Sequence, residues 1–119
     1  MLIATRSGKI NISKEKDTKL IAERLCKHIN LGDFILLTGN LGVGKTTFIK
    51  YIINSLQRIN RQKLSEVPSP TFNITNEYQI KKILIKHYDL YRIKNEKELN
   101  NLGIQENLKK QITLVEWPE

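Results

Sequence analysis

One octet of the chain carries residue types at a spacing that can grip phosphate: Gly39, Asn40, Leu41, Gly42, Val43, Gly44, Lys45 and Thr46. It reads G-x-x-x-x-G-K-[ST], the Walker A pattern. Gly39, Gly42 and Gly44 admit positive φ and let the backbone approach a ligand closely. The successive N–H groups of such a loop form a concave nest for phosphate oxygens. A helix starting at Lys45 would aim the positive end of its dipole at the same anion. Lys45 is then placed to reach the β- and γ-phosphates, and the Thr46 hydroxyl to ligate Mg²⁺.

A phosphate loop also needs an acidic partner for Mg²⁺, at the end of a neighbouring apolar strand. Two positions qualify: Asp89, after Ile83, Leu84 and Ile85, and Glu116, after Ile112, Thr113, Leu114 and Val115. Physical reasoning on the sequence does not separate them, and either is also acceptable as a surface charge.

The elements that position these groups follow from periodicity. Phe34, Ile35, Leu36 and Leu37 form a short apolar run, as expected of a buried parallel strand. Beyond the loop, Phe48, Ile49, Ile52, Ile53 and Leu56 make the apolar stripe of a helix. Upstream, Ser13 is a candidate cap. Ile21, Leu25 and Ile29 predict a helix over residues 14–30, and residues 3–12 are weakly strand-like. Downstream, residues 58–66 are polar and read as a mobile loop. Pro68 and Pro70 exclude a helix there. Strands are expected over 71–78 and 83–85, joined as a hairpin. Asn95 is a candidate cap for a short acidic helix at 96–101, with Gly103 as its stop.

The chain of 119 residues suits one domain with one core, with no repeats and no second domain. The single cysteine, Cys26, excludes an intramolecular disulfide and reads as a buried apolar filler. No apolar run reaches transmembrane length and no signal-peptide core stands at the N-terminus, so the expectation is a cytoplasmic protein without a membrane partner. Net charge is +8 and the pI about 9.7. The basic residues are scattered and do not interleave with aromatics, so no DNA-binding platform is read from them.

The motifs together resemble one family. The phosphate loop with Thr47 is followed by Ser69, Pro70, Thr71 and Phe72, then by Asn76, Glu77 and Tyr78. His87, Tyr88, Asp89, Leu90, Tyr91 and Arg92 come next, and Val115, Glu116, Trp117, Pro118 and Glu119 close the series. In this order they resemble TsaE, the ATPase family of bacterial tRNA threonylcarbamoyladenosine biosynthesis, from about residue 13 onward. The resemblance implies an α/β fold: a single P-loop NTPase-like domain over 1–119, with a mixed central sheet flanked by helices. Family members continue with further strands beyond the Trp-Pro-Glu segment. It implies ATP and Mg²⁺ as cofactors, with residues 39–47 on ATP and Lys45 and Asp89 in catalysis. Thr46 and Glu116 are implied on the metal, and Ser69 and Thr71 in a switch-like loop. Its implied partners are TsaD and TsaB, with tRNA reached through that assembly. Arg92 is a candidate for transition-state charge or for an ion pair, and Trp117 for packing over a core edge beside the site.

Three rival readings have different signatures. A small-molecule kinase needs an arginine-rich lid, and a GTPase needs N-K-x-D; the sequence has neither. A module that uses ATP only as a conformational ligand predicts binding without turnover.

Overall fold

The computed structural model describes residues 14–39, 44–68, 75–90, 93, 95–104 and 106–118. The elements run α1 (Glu15–Cys26), β1 (Phe34–Gly39), α2 (Lys45–Ile59), β2 (Thr75–Ile80), β3 (Ile83–Asp89), α3 (Glu96–Asn101) and β4 (Gln111–Pro118). The strands form one mixed sheet in the order β1-β4-β3-β2. β4, last of the four in sequence, is inserted between β1 and β3 and runs parallel to both, and β2 pairs antiparallel with β3. This is the α/β arrangement with a mixed sheet that the family resemblance implies.

β4 reads as a continuous run because a central parallel strand is covered on both faces. Residues 111–116 are all buried. Its two uncharged polar members satisfy each other, Gln111 Nε2 donating to Thr113 Oγ1 at 3.1 Å.

α1 and α2 pack on one face of the sheet. Their core joins Ala22 and Cys26 of α1 to Ile49, Ile52 and Ile53 of α2 and to Ile85, Ile112 and Leu114 of the strands. The most buried positions of α1 are Thr18, Ala22 and Cys26, while Ile21 and Leu25 are only half-buried. Small residues on this stripe let the helices approach closely, and the Cys26 thiol donates to the Ile52 carbonyl at 3.3 Å. Burial pushes that thiol up to about 12, against a weaker opposing hydrogen bond with Ser55. The other face is covered in part: Tyr88, Leu90 and Val115 meet Ile93, Leu102 and Ile104.

Three sequence expectations shift. The first helix ends at Cys26 rather than near residue 30. The intervening residues form a turn in which the Asn30 N–H donates to Asp33 Oδ2 at 2.8 Å and the Gly32 N–H to the Gln111 carbonyl at 2.9 Å. β2, described as Thr75–Ile80, runs past the expected end at residue 78, and Ser13 and residues 69–74 lie outside the described residues. The expected β2–β3 hairpin is present, and it turns without glycine because Lys81 takes a left-handed φ of 53°. The polar stretch after α2 is tied down. Gln57, buried on α2, donates through Nε2 to Ser65 Oγ at 2.8 Å, and the Ser65 N–H donates back to Gln57 Oε1 at 3.1 Å. Asn95 does cap the short helix, its Oδ1 accepting the Glu98 N–H at 2.9 Å. Among the described residues no helix is long and apolar enough to cross a membrane.

Candidate functional site

The site lies where β1 and β4 end side by side and α2 begins. Leu37 pairs in register with Glu116, Thr38 with Trp117 and Gly39 with Pro118. Gly44 precedes α2 with φ 97°, and a Cβ there would meet nothing within 4 Å. Backbone conformation, not space, therefore demands glycine, since an L side chain in this region costs roughly 1–2 kcal/mol.

α2 starts at Lys45, as the motif predicts. Its first turn contains no acidic residue and its cap residue makes no side-chain hydrogen bond, whereas α1 carries Glu15 and Asp17 in its first turn. The positive end of the α2 dipole is thus left for something other than an acidic residue of its own first turn.

Four side chains converge there. Thr46 Oγ1 donates to Glu116 Oε1 at 2.7 Å. Glu116 Oε2 lies 2.6 Å from His87 Nε2. Lys45 Nζ donates to the Trp117 carbonyl at 3.2 Å. Glu116 is 4% exposed and His87 fully buried. Burial alone would raise the Glu116 carboxyl. Hydrogen bonds from His87 and Thr46, helped by attraction to His87 and Lys45, outweigh it and hold the group below the usual carboxylate range. A carboxylate only accepts, so the proton of the His87 contact sits on Nε2.

Asp89 stands opposite Glu116 in the β3–β4 register. Registered partners on parallel neighbours share a face, so the two carboxylates lie on one side of the sheet, on backbones about 4.8 Å apart. The structure brings together Lys45, Thr46, Glu116 and, one strand away, Asp89. Of the two carboxylates the sequence offers, Glu116 is the one that accepts the Thr46 hydroxyl. Thr47 is half-buried in the first turn of α2. Trp117 contributes its carbonyl, but its side chain, 37% exposed, lies on the opposite face with Phe34 and Leu36. Asn40, Leu41, Gly42, Val43, Ser69, Thr71 and Arg92 lie outside the described residues.

Sequence reasoning gave His87 no role, naming it only in the motif that contains Asp89. One signal was available: residues two apart on a strand share a face, which sets His87 beside Asp89. Its meeting with Glu116 required the strand order.

Comparison with known proteins follows the same lines. A family model described as threonylcarbamoyl adenosine biosynthesis protein TsaE matches residues 12–119. The tRNA threonylcarbamoyladenosine biosynthesis protein TsaE of Rickettsia felis is 38% identical over 108 residues, covering 91% of this chain and 61% of the relative. The protein of that name from Aquifex aeolicus is 36% identical over 108 residues, covering 91% and 74%. Among solved structures, the "Crystal structure of Bacillus subtilus YdiB" superposes with a TM-score of 0.65 at 30% identity, covering 92% of this chain and 61% of that one. The chain thus spans about three fifths of the length of the Rickettsia felis relative and of the YdiB chain.

Proposed function

The chain belongs to the TsaE family, and from that premise we propose that it binds and hydrolyses ATP with Mg²⁺ as the nucleotide-dependent subunit of tRNA threonylcarbamoyladenosine biosynthesis, working with TsaD and TsaB in the cytoplasm. The observation that carries this reading is the 2.7 Å contact between Thr46 and Glu116 at the start of a helix whose first turn holds no acid. A hydroxyl and a carboxylate joined at a helix N-terminus suit a cation shared with phosphates.

The donor set fits Mg²⁺ in that role. Among the described residues no group of three acidic, histidine or cysteine side chains could hold a metal unaided. Mg²⁺ commonly takes one or two carboxylates and completes its shell with phosphate oxygens and water. When bound, the cation neutralises charge on the phosphates. Glu116 and the Thr46 oxygen would hold it, with the Thr46 hydroxyl still free to donate its hydrogen bond to Glu116.

The remaining roles belong to the chain's own groups. Lys45, now on the Trp117 carbonyl, exchanges that neutral acceptor for phosphate, a stronger charge-assisted bond. The α2 N–H groups bind the anion. Asp89, across the register from Glu116, orients the attacking water or a switch segment. Arg58 lies at the far end of α2, about 20 Å from Lys45 at 1.5 Å per residue, and Arg92, the sequence candidate for transition-state charge, lies outside the described residues. Phosphoryl transfer without a well-placed arginine is slower by about 10³ or more. Hydrolysis is therefore slow alone and changes when TsaD–TsaB docks, which couples turnover to the partner.

The test is a reconstituted tRNA-modification assay with TsaD and TsaB. Asp89→Ala should bind Mg·ATP, fail to hydrolyse it and fail to sustain multiple turnover, while Glu116→Ala should lose the Mg²⁺ dependence of binding. Equal multiple turnover with wild-type and Asp89→Ala proteins would hand the role to a non-hydrolysing, ATP-binding module.

A further inference from the structure

His87 is costly for the fold to keep. It is fully buried on β3, and its Nδ1 is the one buried side-chain polar atom without a hydrogen-bond partner among the described residues. An unsatisfied buried polar group costs about 1–3 kcal/mol, and a leucine of similar size would avoid that cost. The imidazole directs its other nitrogen at Glu116 Oε2, 2.6 Å away. His87 stands in register with Leu114 of the apolar core on β4 and with Asn76 on β2, whose amide donates to the Pro68 carbonyl and not to the imidazole.

The benefit is to Glu116. A glutamate side chain ordered from free rotation loses up to about 2 kcal/mol of entropy. A carboxylate at 4% exposure also needs charge-assisted partners to remain ionised. His87 and Thr46 each take one oxygen, Oε2 and Oε1 respectively. Two bonds to two oxygens fix both the position and the plane of the carboxylate.

We propose that His87 is a positioning residue for Glu116: it occupies Oε2 and so presents Oε1, already on the Thr46 hydroxyl, as the single oxygen offered to a divalent cation. The inference rests on the nucleotide reading above and deepens it. His87 touches neither cation nor phosphate; it acts through the carboxylate. Groups that orient a metal ligand in this way are worth about 10–100-fold in metal affinity.

The experiment uses the full chain and a fluorescent ATP analogue, titrated in EDTA and then against Mg²⁺, for wild type, His87→Leu and His87→Gln. A glutamine amide nitrogen reaches the place of Nε2 and can donate to Oε2; leucine fills the space and cannot. The expected result has three parts. All three proteins bind the analogue equally in EDTA. The Mg²⁺ concentration for half-maximal enhancement rises about 10–100-fold in His87→Leu, by analogy with other such orienting groups. His87→Gln stays within a few-fold of wild type. Urea unfolding is run beside each titration, because a merely structural histidine would move the unfolding midpoint and leave the Mg²⁺ dependence alone. If His87→Leu does not fold, His87→Asn replaces it, since its amide is too short to reach Oε2. Wild-type Mg²⁺ dependence in a folded His87→Leu or His87→Asn protein overturns the inference. Failure of the underlying reading looks different: the wild type itself then shows no Mg²⁺-dependent binding, and the inference falls with it.

Discussion

Along β4, Leu114 is fully buried and Glu116 is 4% exposed, both on the face that meets α1 and α2, whereas Trp117 on the opposite face is 37% exposed. β1 shows the same contrast. Ile35 and Leu37 pack against the helix-side core, while Phe34 and Leu36 on the other face are 46% and 51% exposed. That other face is closed over β3 and β4 by Ile93, Leu102 and Ile104 but stands open over β1, where Phe34, Leu36 and Trp117 line a groove with Leu90, Ile104 and Leu108. Among the described residues, Lys45, Thr46, His87, Asp89 and Glu116 are on the closed face or at its rim. Dry packing there fixes β1, β4 and α2 against one another, and with them the distances among Thr46, Glu116 and His87. The open face sets no distance in the site. The difference teaches that the geometry of the site and the completeness of the apolar covering are separable properties of this sheet.

The largest expected effect is on the closed face. Leu114→Ala should lower stability by about 3–5 kcal/mol, because it removes buried methyl groups from a site hemmed in by rigid strands. Urea unfolding measures this, and a loss below about 1 kcal/mol would mean that the closed face is looser than described.

Next comes chemical access to that face. Cys26, raised from 9.0 to about 12 by burial, is a neutral thiol across the physiological range. At pH 8 its thiolate fraction should be roughly a thousandfold below that of an unfolded chain, since three pKa steps separate the two states. The sign follows from a raised folded-state value: the protonated thiol's contribution is complete below the unfolded value and is lost as pH rises towards about 12. A thiol reagent should therefore label Cys26 only at the rate of unfolding. Rapid labelling of folded protein at pH 8 would show that α1 opens locally.

Smaller effects belong to the partly covered side. Asn95→Ala removes the side-chain acceptor for the Glu98 N–H, and loss of such a cap costs about 1 kcal/mol. No change in the urea midpoint would show that the 96–101 helix contributes nothing to global stability. Smallest of all, Phe34→Thr with Leu36→Thr should change stability by less than about 1 kcal/mol, because side chains already half in water have little burial to lose. The same pair should raise solubility in ammonium sulfate by breaking up an exposed apolar strip. A large stability loss from this double substitution would erase the contrast between the faces.

These contrasts also explain what the sequence made legible. The start of α2 was readable to the residue, since a glycine-rich loop before Lys45 and an apolar stripe after it are local signals. The cap at Asn95 was equally local. The end of α1 was not, because Ile29 continues the period while Gly32 and Asp33 are drawn into contacts with Gln111 and Thr113, far along the chain. The glycine-free hairpin turn gave no composition signal for its register. In the site, Lys45 and Thr46 were legible from spacing. The priority of Glu116 over Asp89 for the Thr46 hydroxyl was not, because both follow apolar strands and differ only in which strand lies next to β1. His87 depended on the same missing fact.

That fact, β4 lying between two strands made before it, has a consequence for how the molecule comes into being. Thr46 and Glu116 are 70 residues apart in sequence. Helices and the β2–β3 hairpin can form on the microsecond scale from neighbouring residues. β1 and β3, however, have no mutual pairing and must each wait for β4. On a chain emerging from the ribosome, the glycine loop and α2 appear first and the strand that joins the two halves appears late. Long-range parallel closure of this kind is the slow step in such topologies. The Thr46–Glu116 contact then marks the moment at which the two halves of the sheet become one.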